Sequence, residues 1–202
     1  MGRARTREPV QERARRRRES ILDATARLLD REGYGALTTN AVAREAQAAI
    51  GTVYEYFPNR EALLAALLAR HGERLGEVID RAIAGASGDP IATGDRVVDA
   101  FARFWLEEPG YRSAWAVSQV SGVLLETGAA WADAFTDRVA ALIASIAPSF
   151  PARERRRVAH TAVHLVSGLV GPAVSGPRAQ RRARLDEAKL ALRAYVLARL
   201  GG

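Results

Sequence analysis

The sequence predicts an all-α protein in which an N-terminal three-helix helix-turn-helix domain precedes a larger helical body, about nine helices in all. Three observations predict it. Apolar residues recur at spacings of three and four along nearly every segment, with no convincing period of two. The first 60 residues hold three short helical patterns, with turn signals at Gly33-Tyr34-Gly35 and Pro58-Asn59, while the later patterns are longer. At 202 residues and 48% hydrophobic content, the chain can bury a proper core without staples.

Taken in order, Ile21, Leu22, Thr25, Leu28 and Leu29 form one face of a helix that begins inside an arginine run and stops at Gly33-Tyr34-Gly35. Thr38 and Thr39 offer cap hydroxyls to a second helix, whose Val42, Ala43 and Ala46 share a face. In a third, Val53 and Phe57 lie four apart and point the same way. Pro58-Asn59 breaks the chain, with Asn59 as the next N-cap, and leucines from Leu63 onward carry a long helix to Gly85. After the loop at 85–90, Val97, Val98, Phe101, Phe104 and Trp105 mark a helix closed by Glu-Glu-Pro-Gly. Residues 111–121 suggest a shorter helix, and Trp131 to Ile146 mark another. The last two are the most apolar: one from Pro151 to Gly171-Pro172, where Gly168 and Gly171 let a neighbouring helix come close, and one over roughly 178–200.

These elements divide the chain into a basic arm, partly disordered, at 1–18, a helix-turn-helix domain at 19–58 (the motif itself at about 38–57), and a body at 59–202 entered through a connecting helix at 59–84. The arm holds eight arginines and two glutamates, leaving it +6 of the chain's +7. Such an arm is either a solvated tail or a device for attracting a polyanion by counterion release. With no cysteine, a disulfide framework and thiolate chemistry are excluded. Charged residues interrupt the apolar runs before the roughly 18 residues of a membrane span, so a cytoplasmic protein with no membrane partner is expected.

Two short helices, a tight connection and a basic neighbour are the parts of a helix-turn-helix, whose second helix enters the major groove. On that reading Ala49 opens the reading helix, Gly51 lets the backbone approach DNA, and Thr52, Tyr54 and Tyr56 offer hydroxyls. The alternative for the aromatics is core, and for Phe57 the core reading is preferred.

The stretch from 38 to 64, TTNAVAREAQAAIGTVYEYFPNREALL, resembles the N-terminal domain of the TetR family of transcriptional regulators. Thr38, Thr39, Val42, Ala43, Ala46, Gly51, Thr52, Val53, Tyr54, Tyr56, Phe57, Arg60 and Leu63 match the family pattern. The resemblance implies an Ω-shaped homodimer bound to a double-stranded inverted-repeat operator, with a body that binds a small-molecule effector and usually represses. Carried over by position, Thr38 or Thr39, Tyr54, Tyr56 and Arg60 hold phosphates, while Ala49 to Thr52 face base edges. Arg15, Arg16, Arg17 and Arg18 are expected to add backbone or minor-groove contacts. The chain departs from the family at Gln47-Ala48-Ala49, where Gly-Val-Ser is usual. A lost left-handed glycine and a lost serine cap each cost about 1 kcal/mol.

In the body, Phe101, Phe104, Trp105, Tyr111, Trp115, Gln119, Trp131, Phe135 and His164 are candidates for a pocket that takes an apolar or aromatic ligand, with ordinary core as the alternative. His160 and His164 have metal-ligand spacing but no third partner in view, so no metal and no cofactor are expected. Val158, Leu165, Leu169, Leu192 and Val196 are candidates for a two-fold dimer face, with intrachain packing as the alternative. The rivals to a DNA-binding regulator are a helical protein-interaction adaptor using the basic arm, and a helical enzyme. No Ser-His-acid arrangement or glycine-rich phosphate loop supports the latter.

Overall fold

The computed structural model describes residues 7–85 and 89–200, and the side chains of all of these except 7–10, 122–125 and 127. Among the described residues there are nine α-helices: α1 (Arg7–Glu32), α2 (Thr39–Glu45), α3 (Ile50–Tyr56), α4 (Arg60–Ala84), α5 (Pro90–Glu107), α6 (Tyr111–Ser118), α7 (Gly122–Ile146), α8 (Ala152–Ser175) and α9 (Arg181–Leu200). Short 3-10 turns stand at Tyr34–Ala36 and Arg178–Gln180. The expected caps are present: Thr38 Oγ1 accepts the Ala41 amide at 3.1 Å, and Asn59 Oδ1 accepts that of Ala62 at 2.8 Å.

Several boundaries differ from the sequence reading, among them the start of α7, which lies at Gly122 and not near Trp131. The region read as an arm is helical from Arg7, because α1 runs unbroken through the arginines; Arg3 and Arg5 lie outside the described residues. Helix α8 does not stop at Gly171-Pro172 but continues to Ser175, its last turn held by buried Val170, Ala173 and Val174. Burial there outweighs the hydrogen bond that a proline inside a helix forfeits. By length and composition α8 could also cross a membrane; its buried face packs against α5 and α9.

The chain forms two compact units, one from residues up to 71 together with 109–125, the other from 72–108 and 126 onward. The first unit is therefore larger than the sequence-based domain, because α6 and the first half of α4 belong to it. Its core joins Ile21, Leu22 and Leu29 of α1 to Val42, Val53 and Leu63, Leu64 and Leu67 of α4, with Ala114 of α6 closing it. Gly110, with φ 73, precedes α6 and presses onto α1. A Cβ at Gly110 would lie 2.8 Å from the Ala26 carbonyl oxygen, so both the backbone angle and the space require glycine. Buried Arg70 ties α4 to α1 through Asp23 at 2.7 Å and Glu19 at 3.2 Å.

In the second unit α5 packs against α8 and α9, which pack against each other. The Trp105 indole lies on Gly171, where a Cβ would come within 2.6 Å of the ring. The close approach expected at Gly171 is thus made by α5 of the same chain. Gly168, one turn earlier, faces open space.

Candidate nucleic-acid interface

The connection between α2 and α3 is fixed by two backbone bonds. The Ala48 amide donates to the Ala43 carbonyl at 2.9 Å and the Gln47 amide to the Arg44 carbonyl at 3.1 Å. This pair is a Schellman closure, which needs a left-handed residue just past the helix. That residue is Gln47, at φ 50 the one non-glycine with positive φ among the described residues. The position where the family usually has glycine is therefore left-handed, and a side chain is strained there. Ala49 caps α3 in extended conformation with no side-chain hydrogen bond, so the missing serine is also felt.

On α3, Val53 and Phe57 are buried inward, as their spacing predicts. The outward face carries Ile50, Gly51, Tyr54 and Glu55. Tyr54 is 51% exposed, and its phenol oxygen accepts a hydrogen bond from the Thr39 hydroxyl at 3.2 Å. This leaves the phenol proton for an outside acceptor. A Cβ on Gly51 would meet nothing within 4 Å, so the chain's own packing does not demand glycine there. Thr52 and Tyr56 are half-buried at the edges of this face, and the Tyr56 ring lies 6.4 Å from that of Phe57. Thr38 is exposed, with its oxygen engaged as the α2 cap.

The basic residues divide by partner. Glu12 holds Arg15 at 2.9 Å and Arg16 at 3.0 Å. Arg18 stacks over the Phe57 ring at 5.5 Å and pairs with Glu19 at 3.5 Å. Arg60 stacks over Tyr34 at 5.0 Å and pairs with Glu61 at 2.9 Å. Arg17 is exposed with no such partner among the described residues, and so are Arg13 and Arg44, which the sequence reading did not single out as DNA ligands. Arg44 follows the buried pair Val42 and Ala43, and that position on a short helix was a readable signal of an outward cation. Hydrogen bonds from Arg31 and Arg27 of α1 hold the Glu45 carboxyl of α2 below the usual carboxylate range, fixing one helix on the other.

The residues proposed for a ligand pocket are divided between the two units. Tyr111, Trp115 and Gln119 belong to the first unit. Tyr111 is buried there edge-on to His71, ring centroids 5.5 Å apart, and its burial pushes the phenol pKa up. Phe101, Phe104 and Trp105 are buried in the second unit, where Trp131 and Phe135 are half-buried with centroids 6.4 Å apart. Of the proposed set, Phe104 lines a groove of about 700 Å³ between α4 and α5, whose walls carry Arg74, Arg81, Arg103 and three glutamates. His164 is exposed on α8, stacked on His160 at 4.1 Å, with its Nδ1 donating to the His160 carbonyl at 2.8 Å. Among the described residues no three His, Asp or Glu side chains converge to hold a metal ion.

Two residues placed on the dimer face are corrected by the structure. Val158 is fully buried in its own chain against Ile143, and Leu192 is buried with its side chain reaching Gly94 of α5. Val196 is half-buried close to the same side of α9. On α8 and α9 the exposed large apolar residues, among those described, are Leu169 (38%), Leu190 (57%) and Leu197 (58%), with Leu165 half-buried.

Known proteins share this plan. The chain is 46% identical over 76 residues to the HTH-type transcriptional repressor KstR of Mycolicibacterium smegmatis, covering 38% of this chain and 37% of that one. It is 33% identical over 85 residues to the HTH-type nicotine-responsive transcriptional repressor HdnoR of Paenarthrobacter nicotinovorans, covering 42% of this chain and 43% of that one. The matched stretches thus span well under half of these curated relatives. A solved TetR-family transcriptional regulator from Streptomyces coelicolor superposes with a TM-score of 0.71 at 30% identity, covering 91% of this chain and 99% of that one. Residues 21–67 match the family described as bacterial regulatory proteins, tetR family, and residues 89–200 match the tetracyclin repressor-like C-terminal domain. With both parts of the chain matched in order, this protein belongs to the TetR family of bacterial regulatory proteins.

Proposed function

We propose that the protein is a ligand-responsive transcriptional regulator, a repressor rather than a catalyst, that binds an inverted-repeat operator as a homodimer and is released by a small apolar or aromatic ligand in its second unit. The observation that carries this reading is the α2–turn–α3 module with Gly51 open to solvent and Tyr54 standing outward on the support of Thr39. A helix so presented can lie in the major groove with its backbone close to the duplex. Arg13, Arg17 and Arg44, which have no ion-pair partner among the described residues, supply the charge that phosphates attract.

Leu169, Leu190 and Leu197 support the dimer, because exposed leucines on two adjacent helices favour a self-complementary contact. The nicotine-responsive relative supports a small-molecule signal, and the aromatic residues of the second unit supply apolar surface for it. The protein works on DNA in the cytoplasm. Selection of bound fragments from random DNA tests the reading: an inverted repeat is expected, with half-sites spaced by whole turns of the duplex. Enrichment of no sequence would favour an adaptor that uses its basic helix.

A further inference from the structure

The outward face of α3 is poor in hydrogen-bond donors. With about 100° per residue, Ile50, Gly51, Tyr54 and Glu55 share that face, and all four are exposed while Val53 and Phe57 are buried. Purines are read in the major groove mainly by Arg, Lys, Asn or Gln donating to or bridging their edges. None of these residue types occurs from Ile50 to Tyr56. Glu55 can only accept, which leaves the phenol of Tyr54, its oxygen engaged by the Thr39 hydroxyl, as the exposed side-chain donor on this face.

What the face does present is the branched side chain of Ile50, 38% exposed in the first helical turn beside exposed Ala49 and the bare backbone of Gly51. An isoleucine here is stiff at its first side-chain torsion, so its methyl groups are held in position. The apolar group that the major groove displays is the C5-methyl of thymine.

We propose that Ile50 sets the sequence preference of the protein by packing against a thymine C5-methyl in each half-site. This rests on the DNA-binding reading above. Gly51 allows the approach, and the face selects for methyl groups rather than for the N7 and O6 acceptors of guanine.

The test uses the full chain and the fragment it selects, with each thymine replaced in turn by deoxyuridine, which removes only the methyl group. One thymine per half-site is expected to lose affinity by about fourfold, the worth of one buried methyl-sized group. Ile50→Ala should keep the melting temperature, bind more weakly and lose that sensitivity, while Ile50→Val should retain it. The proposal is overturned if no thymine matters by more than about twofold, or if Ile50→Ala stays as sensitive as the parent. Failure of the parent to select any sequence would instead overturn the DNA-binding reading, and this proposal with it.

Discussion

Gln47 is where this chain departs from what both local physics and family habit favour. Its φ of 50 is imposed by the two backbone bonds that close α2, and a Cβ is disfavoured there by about 1 kcal/mol. Gln47→Gly should therefore stabilise the protein by about 1 kcal/mol, read as a higher urea midpoint at constant slope. Ala49→Ser should add about 1 kcal/mol more by giving α3 a side-chain cap. A destabilised Gln47→Gly would sink the strain argument. The sequence located this departure through its resemblance to relatives, but the left-handed angle became visible only with the closure formed. Ile50 was harder to see, since an isoleucine in an apolar helix reads as core until its neighbours Val53 and Phe57 take the inward positions.

At the scale of elements, α1 changes what the arginine run can do. A disordered arm could lay every guanidinium on DNA, whereas a helix distributes them around its circumference and lets Glu12 capture Arg15 and Arg16. Among the described arginines of this run, Arg13 and Arg17 have no such partner. Replacing both with alanine should weaken operator binding and flatten the dependence of log affinity on log salt by about 1.8, or 0.9 for each phosphate no longer neutralised. An unchanged slope would place both side chains away from DNA. Helix α9 gives the complementary lesson. Leu192 and Val196 were legible as an apolar face, yet that side turns toward the chain's own core, while Leu190 and Leu197 stand outside. A helix apolar on two sides does not reveal by periodicity which side meets which partner.

For the whole molecule, the exposed leucines of α8 and α9 carry the proposed dimer. Leu169→Asp combined with Leu197→Asp should halve the mass measured by light scattering and abolish tight binding to a two-half-site operator, while the helical circular dichroism persists. A dimer that survives both changes would move the interface elsewhere. By itself the sequence determined the number and order of helices, their caps at Thr38 and Asn59, and the inward positions of Val53 and Phe57, because spacing and capping are local properties of a chain. Only the tertiary structure decided that Tyr111 packs beside His71 in the first unit, that Trp105 rests on Gly171, and that Val158 and Leu192 are inside. Those outcomes depend on packing between residues far apart in the chain, and helical periodicity names an apolar side without naming what will cover it.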